Sequence, residues 1–80
     1  MRILVIGGLN NKGIKFIKSL SNQDWLVVLD DFEEKESAEN LMHLLIIRKF
    51  KFYRGNKKNK KRIIEIKKIE RIEKVYDFGS

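Results

Sequence analysis

At 80 residues the chain has room for one small core and no second domain. A hydrophobic fraction of 42% excludes a charged disordered tail, and the lack of cysteine excludes disulfides and thiolate metal sites, so the cytoplasm is the expected compartment. The net charge of +7 is uneven: residues 1–40 hold five Lys or Arg against seven Asp or Glu (−2), and residues 41–80 hold thirteen against four (+9).

The run Ile3-Leu4-Val5-Ile6, closed by Gly7-Gly8, reads as a strand buried on both faces. It is too short for a signal-peptide core or a membrane span. From Gly13, Ile14, Ile17 and Leu20 recur at helical spacing with Phe16 beside them, until residues 21–24 supply a stop. Residues 25–29 form a second unbroken apolar strand ending at Asp30-Asp31. Residues 32–37 are an acidic loop, and a helix is expected over 37–46 with Leu41, Leu44 and Leu45 on its inner face. Residues 50–54 alternate as a strand and stop at Gly55-Asn56. After the basic run 57–62, Ile63, Ile66, Ile69 and Ile72 indicate a third helix by length, although Ile64-Glu65-Ile66 alternates as a strand would. Residues 75–78 are a short last strand. The order β-α-β-α-β-α-β predicts an α/β fold, a Rossmann-like half-domain over residues 1–80 with a parallel sheet in strand order 3-2-1-4.

The turn Gly7-Gly8-Leu9-Asn10-Asn11-Lys12-Gly13 joins the first strand to the first helix. Such a turn needs glycine for chain reversal, for close approach of a pyrophosphate and for helix-to-strand packing, and the helix start offers unpaired N–H groups to phosphate. Here the chain resembles the amino-terminal part of the extended short-chain dehydrogenase/reductase family, the NAD-dependent epimerases and dehydratases of the UDP-glucose 4-epimerase type. Gly7, Asn10 and Gly13 fall where the family's three turn glycines fall. Asp30, with Asp31 beside it, ends the second strand where an acid holds the adenosine ribose. Asn56 and Lys57 stand at the adenine side, and Lys74-Val75-Tyr76-Asp77-Phe78-Gly79-Ser80 looks like the fourth strand, whose end lines the cofactor cleft. The resemblance implies an NAD or NADP site made by Gly7, Asn10, Asn11, Lys12, Gly13, Asp30, Asp31, Asn56, Lys57, Phe78 and Gly79. The family's catalytic Ser or Thr and its Tyr-x-x-x-Lys pair follow the fourth strand, so no catalytic residue is expected in this chain.

The chain departs from the family's pattern at several positions, among them Asn11 and Lys12, which stand where the family has an aromatic and an aliphatic residue. Asn10 replaces the middle glycine, and although Asn tolerates left-handed backbone, its side chain fills pyrophosphate space. Asn56 replaces an acid, and Lys57 an apolar residue. Tyr53-Arg54-Gly55-Asn56-Lys57 spells Tyr-x-x-x-Lys but spans a strand end and a turn, where Tyr and Lys do not stack.

Lys57-Lys58-Asn59-Lys60-Lys61-Arg62 offers a rival reading, a nucleic-acid-binding protein whose basic run neutralises phosphates. A vestigial or designed scaffold without ligand is the third. His43, the single histidine, has no neighbour with which to build a metal site, and Glu33, Glu34, Glu36 and Glu39 lack cation-loop spacing. An open edge at the fourth strand suggests a homodimer or a complementing chain, and no membrane partner is expected.

Overall fold

The computed structural model describes residues 1–79. Along the chain lie β1 (Arg2–Ile6), α1 (Asn11–Ser19), β2 (Trp25–Asp30), α2 (Ser37–Ile47), β3 (Lys51–Arg54), α3 (Lys60–Ile69) and β4 (Lys74–Asp77). All strand pairs are parallel, and the sheet order is β3-β2-β1-β4. This is the α/β half-domain expected from the alternation of elements. Ser80, the last residue of the segment likened to the family's fourth strand, lies outside the described residues.

The strands' residue types follow from their positions. β1 and β2 are central and covered on both sides, which is why their apolar runs are continuous. Ile3, Val5, Leu26 and Val28 face α1 and α2, where Ile14, Ile17 and Leu44 complete one cluster; Leu4, Ile6, Val27 and Leu29 face α3 and pack with Ile66. β3 and β4 are the edges and carry charge at their ends, Lys51 and Arg54 on one, Lys74 and Asp77 on the other. Register is fixed across the centre by pairs such as Leu4 with Val27 and with Val75.

Helix ends explain where the expected boundaries move. Asn10 caps α1 through its side chain, so the helix starts at Asn11 rather than Gly13. Asn59 does the same for α3 by accepting from the Arg62 N–H, which draws half of the basic run into the helix and removes the strand alternative. α3 ends with Arg71 at φ 53, while the Arg71 and Ile72 amides donate to the Lys68 and Lys67 carbonyls. This double bond pattern with a left-handed residue is a Schellman stop, here built on Arg where glycine is usual.

Two apolar residues depart from expectation. Leu45 is 63% exposed and Ile69 is 67% exposed. Leu45 lies about 100° round from Leu44, at the margin of the inward face, and Ile69 is the last residue of α3, one turn beyond the inward Ile66. No helix among the described residues is long and apolar enough to cross a membrane.

The amino ends of the strands are tied together by Glu70, a buried acid just past α3. Its carboxylate accepts from the Tyr53 hydroxyl at 2.5 Å and from the Trp25 indole at 3.4 Å, with Lys51 at 3.7 Å and Arg2 at 3.8 Å. The Tyr53 hydrogen bond holds the Glu70 carboxyl below the usual carboxylate range against the opposing effect of burial, with Trp25, Lys51 and Arg2 assisting. The same bond, together with burial and the Glu70 charge, pushes the Tyr53 phenol up. One side chain thereby joins β2, β3, α3 and the start of β1 at the end of the sheet away from the glycine turn.

Candidate functional site

The glycine turn sits at the carboxyl end of β1, where the chain leaves toward β2 on one side and returns to β4 on the other. In parallel α/β sheets this switch in direction opens a crevice. Gly7 has φ 72, and a Cβ there would lie 2.9 Å from the Cα of Gly79, so the residues after β4 cross directly over the turn. A Cβ on Gly13 would lie 2.6 Å from the Gly7 carbonyl oxygen, and this glycine sets how closely α1 approaches β1. Both outer glycines thus have the roles that the turn requires of them.

Asn10 needs no tolerance of left-handed backbone here. With φ −75 and ψ 168 it is extended, not left-handed. Its Oδ1 accepts from the Gly13 N–H at 2.7 Å, and its Nδ2 donates to the Phe78 carbonyl at 2.7 Å. The side chain therefore caps α1 and staples the segment after β4 to the turn. The amides of Asn11 and Lys12 have no partner among the described residues, leaving two donors at the start of α1.

Asp30 is fully buried. Its two oxygens accept from the Leu9 N–H at 3.0 Å and from the Phe32 N–H at 2.9 Å. The first bond braces the glycine turn from below. The second holds Phe32 at φ 62, a conformation that costs a bulky residue about 1–2 kcal/mol. Asp31 is the acid that reaches the crevice: its Oδ1 accepts from the Glu33 N–H at 3.2 Å and lies 3.6 Å from the Lys57 ammonium.

Lys57, the first residue of the basic run read as a nucleic-acid contact, is only 8% exposed. Its aliphatic stem packs beside Gly79, where a Cβ would lie 3.2 Å from both the Lys57 Cβ and Cδ. Asn56 holds the turn by accepting from the Lys58 N–H at 2.8 Å. Tyr53 points to Glu70 at the opposite end of the sheet, so the Tyr-x-x-x-Lys spelling brings no phenol and ammonium together.

Two adjoining clefts result. One, of about 260 Å³, is lined by Asn10, Asn11, Lys12, Glu34, Glu36 and Phe78. The other, of about 250 Å³, is lined by Asp31, Glu33, Glu34, Asn56, Lys57, Lys58 and Gly79. Glu34 belongs to both. Each is near the lower limit for a small-molecule site, and together they run from the start of α1 to the end of β3. The expected site residues are gathered here, with Gly7, Gly13 and Asp30 beneath the surface and the others around it. Four further lining residues were not expected at the site, Glu33, Glu34 and Glu36 from the segment before α2 and Lys58 from the turn after β3. Among the described residues no group of three or more His, Cys, Asp or Glu is placed to hold a metal ion, and His43 is exposed on α2.

The fold and crevice define a Rossmann-like α/β half-domain. No family model, curated protein or solved structure matches the chain.

Proposed function

We propose that the crevice binds a nicotinamide dinucleotide, making the chain a cofactor-binding half-domain of the epimerase/dehydratase type. The observation that carries this reading is the position of both clefts at the carboxyl end of the sheet, against the glycine turn and the unpaired Asn11 and Lys12 amides. In this reading those amides and the Lys12 ammonium meet the pyrophosphate. Asp31 takes the ribose hydroxyls in place of the buried Asp30, and Asn56 and Lys57 border the adenine. The cofactor, when bound, supplies a hydride acceptor or donor; the chain's own residues bind and orient it. Asp31 and Glu33 beside the ribose position oppose a 2′-phosphate, which selects NAD over NADP. Glu34 and Glu36 face the pyrophosphate position and weaken binding.

A second reading rests on the outward side of α3 and its flanks. Lys58, Lys60, Lys61, Lys67, Lys68 and Arg71 are all exposed there, enough to track a nucleic-acid backbone. Fluorescence titration with NADH, and a parallel titration with a short single-stranded RNA, each at low and moderate salt, separates the two. Saturable NADH binding lost in Asp31→Ala supports the cofactor site. RNA affinity that falls steeply with salt, without NADH binding, supports the basic face. Binding of neither below millimolar concentration removes both.

A further inference from the structure

α2 is apolar over most of its circumference, interrupted by one polar arc of Glu39, Asn40 and His43, and the sheet covers only part of the apolar side. Leu41 and Leu44 pack inward. Asn40 fixes the side toward α1, because its Nδ2 donates to the Leu9 carbonyl at 2.7 Å and to the Asn11 Oδ1 at 3.2 Å. Nearly half a turn round from Asn40, Ala38, Met42, Leu45 and Ile46 form a second stripe within an arc of roughly 100°. Met42 is 66% exposed and Ile46 is 83% exposed. A helix with two apolar faces needs two partners, and the fold supplies one.

We propose that this stripe is a homodimer interface, in which α2 packs antiparallel against α2 of a second copy. Charge and order along the helix choose that occupant. Exposed Glu39 lies in the first turn and exposed Lys49 just beyond the last. A two-fold axis near Leu44 sets Met42 against Ile46 of the second copy, and the same register brings Glu39 toward the other Lys49, twice over. The helix dipoles oppose favourably in this arrangement, and the contact is isologous, so it closes at two copies. A single helix pair is smaller than a standard stable interface, so association belongs in the high-micromolar range.

Sedimentation velocity of the full chain between 10 µM and 1 mM, with thermal melting followed alongside, tests this. The wild-type chain should shift from monomer to dimer across that range. Met42→Gln with Ile46→Gln should raise the dissociation constant at least tenfold, while its melting at low concentration stays that of wild type, because both side chains are exposed. Glu39→Lys should weaken association about two- to tenfold, and adding Lys49→Glu should restore it. A chain monomeric at 1 mM overturns the proposal. So does a dimer that persists with both Gln substitutions, for instance one formed through the β4 edge, or a charge reversal that is not rescued.

Discussion

Replacing Asp30 with Asn changes few atoms, and the structure assigns it a large cost. The carboxylate is fully buried, and each oxygen takes a backbone N–H, from Leu9 in the glycine turn and from Phe32 just after β2. An Asn side chain keeps one acceptor and turns an NH2 toward the other donor, leaving a buried amide unpaired. Losing one hydrogen bond to a charged acceptor costs about 1.5–3 kcal/mol. The whole stability of an 80-residue domain is only about 4–12 kcal/mol. At about 4–8 °C per kcal/mol the melting temperature should drop by about 6–24 °C. In urea the midpoint should fall with the slope unchanged, because the surface exposed on unfolding is the same. Asp31→Asn removes the charge partner, 3.6 Å away, of the largely buried Lys57 ammonium and should itself cost about 1–3 kcal/mol. If Asp30→Asn melts within about 2 °C of wild type, the carboxylate does not brace the turn and the account of this corner is wrong.

Tyr53→Phe removes the main donor to Glu70 and should cost about 1–2 kcal/mol at pH 7, read by urea denaturation. Because the folded Glu70 carboxyl is held low, its contribution is complete above the unfolded value of about 4.3 and disappears as pH falls through the folded one; because the Tyr53 phenol is raised, its contribution is complete below about 10 and disappears as pH rises through the folded value. Stability against pH should therefore form a plateau between these limits, and Glu70→Gln should lower the plateau and flatten its acid side. Arg71→Gly should stabilise the chain by about 1 kcal/mol by relieving the left-handed residue of the α3 stop, and an unchanged or lower midpoint would deny the strain. Glu34→Gln together with Glu36→Gln should tighten NAD binding severalfold by calorimetry, since both acids face the proposed pyrophosphate position.

What could be read from the sequence depended on how local each determinant is. β1 and β2 were legible because strands buried on both faces are unbroken apolar runs, and the strand order followed from the alternation of elements. α2 was legible as a helix but not in its orientation: with apolar residues over most of its circumference, nothing local says that Leu44 turns inward and Leu45 outward. The cap role of Asn10 has a plain signal, an Asn directly before a helix, which a glycine-fingerprint alignment obscures. Lys57 reads as part of a basic run, and only the crossing of Gly79 over its stem buries it. Glu70 gathers Arg2, Trp25, Lys51 and Tyr53 from 17 to 68 residues away, and no window of sequence contains that constellation.

The proposed binding of a nucleotide across the carboxyl end of this sheet is best tested by an amide chemical-shift titration of the full chain with NAD up to several millimolar. Saturable shifts should centre on Asn11, Lys12, Asp31, Asn56 and Lys57, with α3 unmoved. Shifts that are absent throughout, or that spread along Lys60–Ile69 without touching the glycine turn, would contradict it.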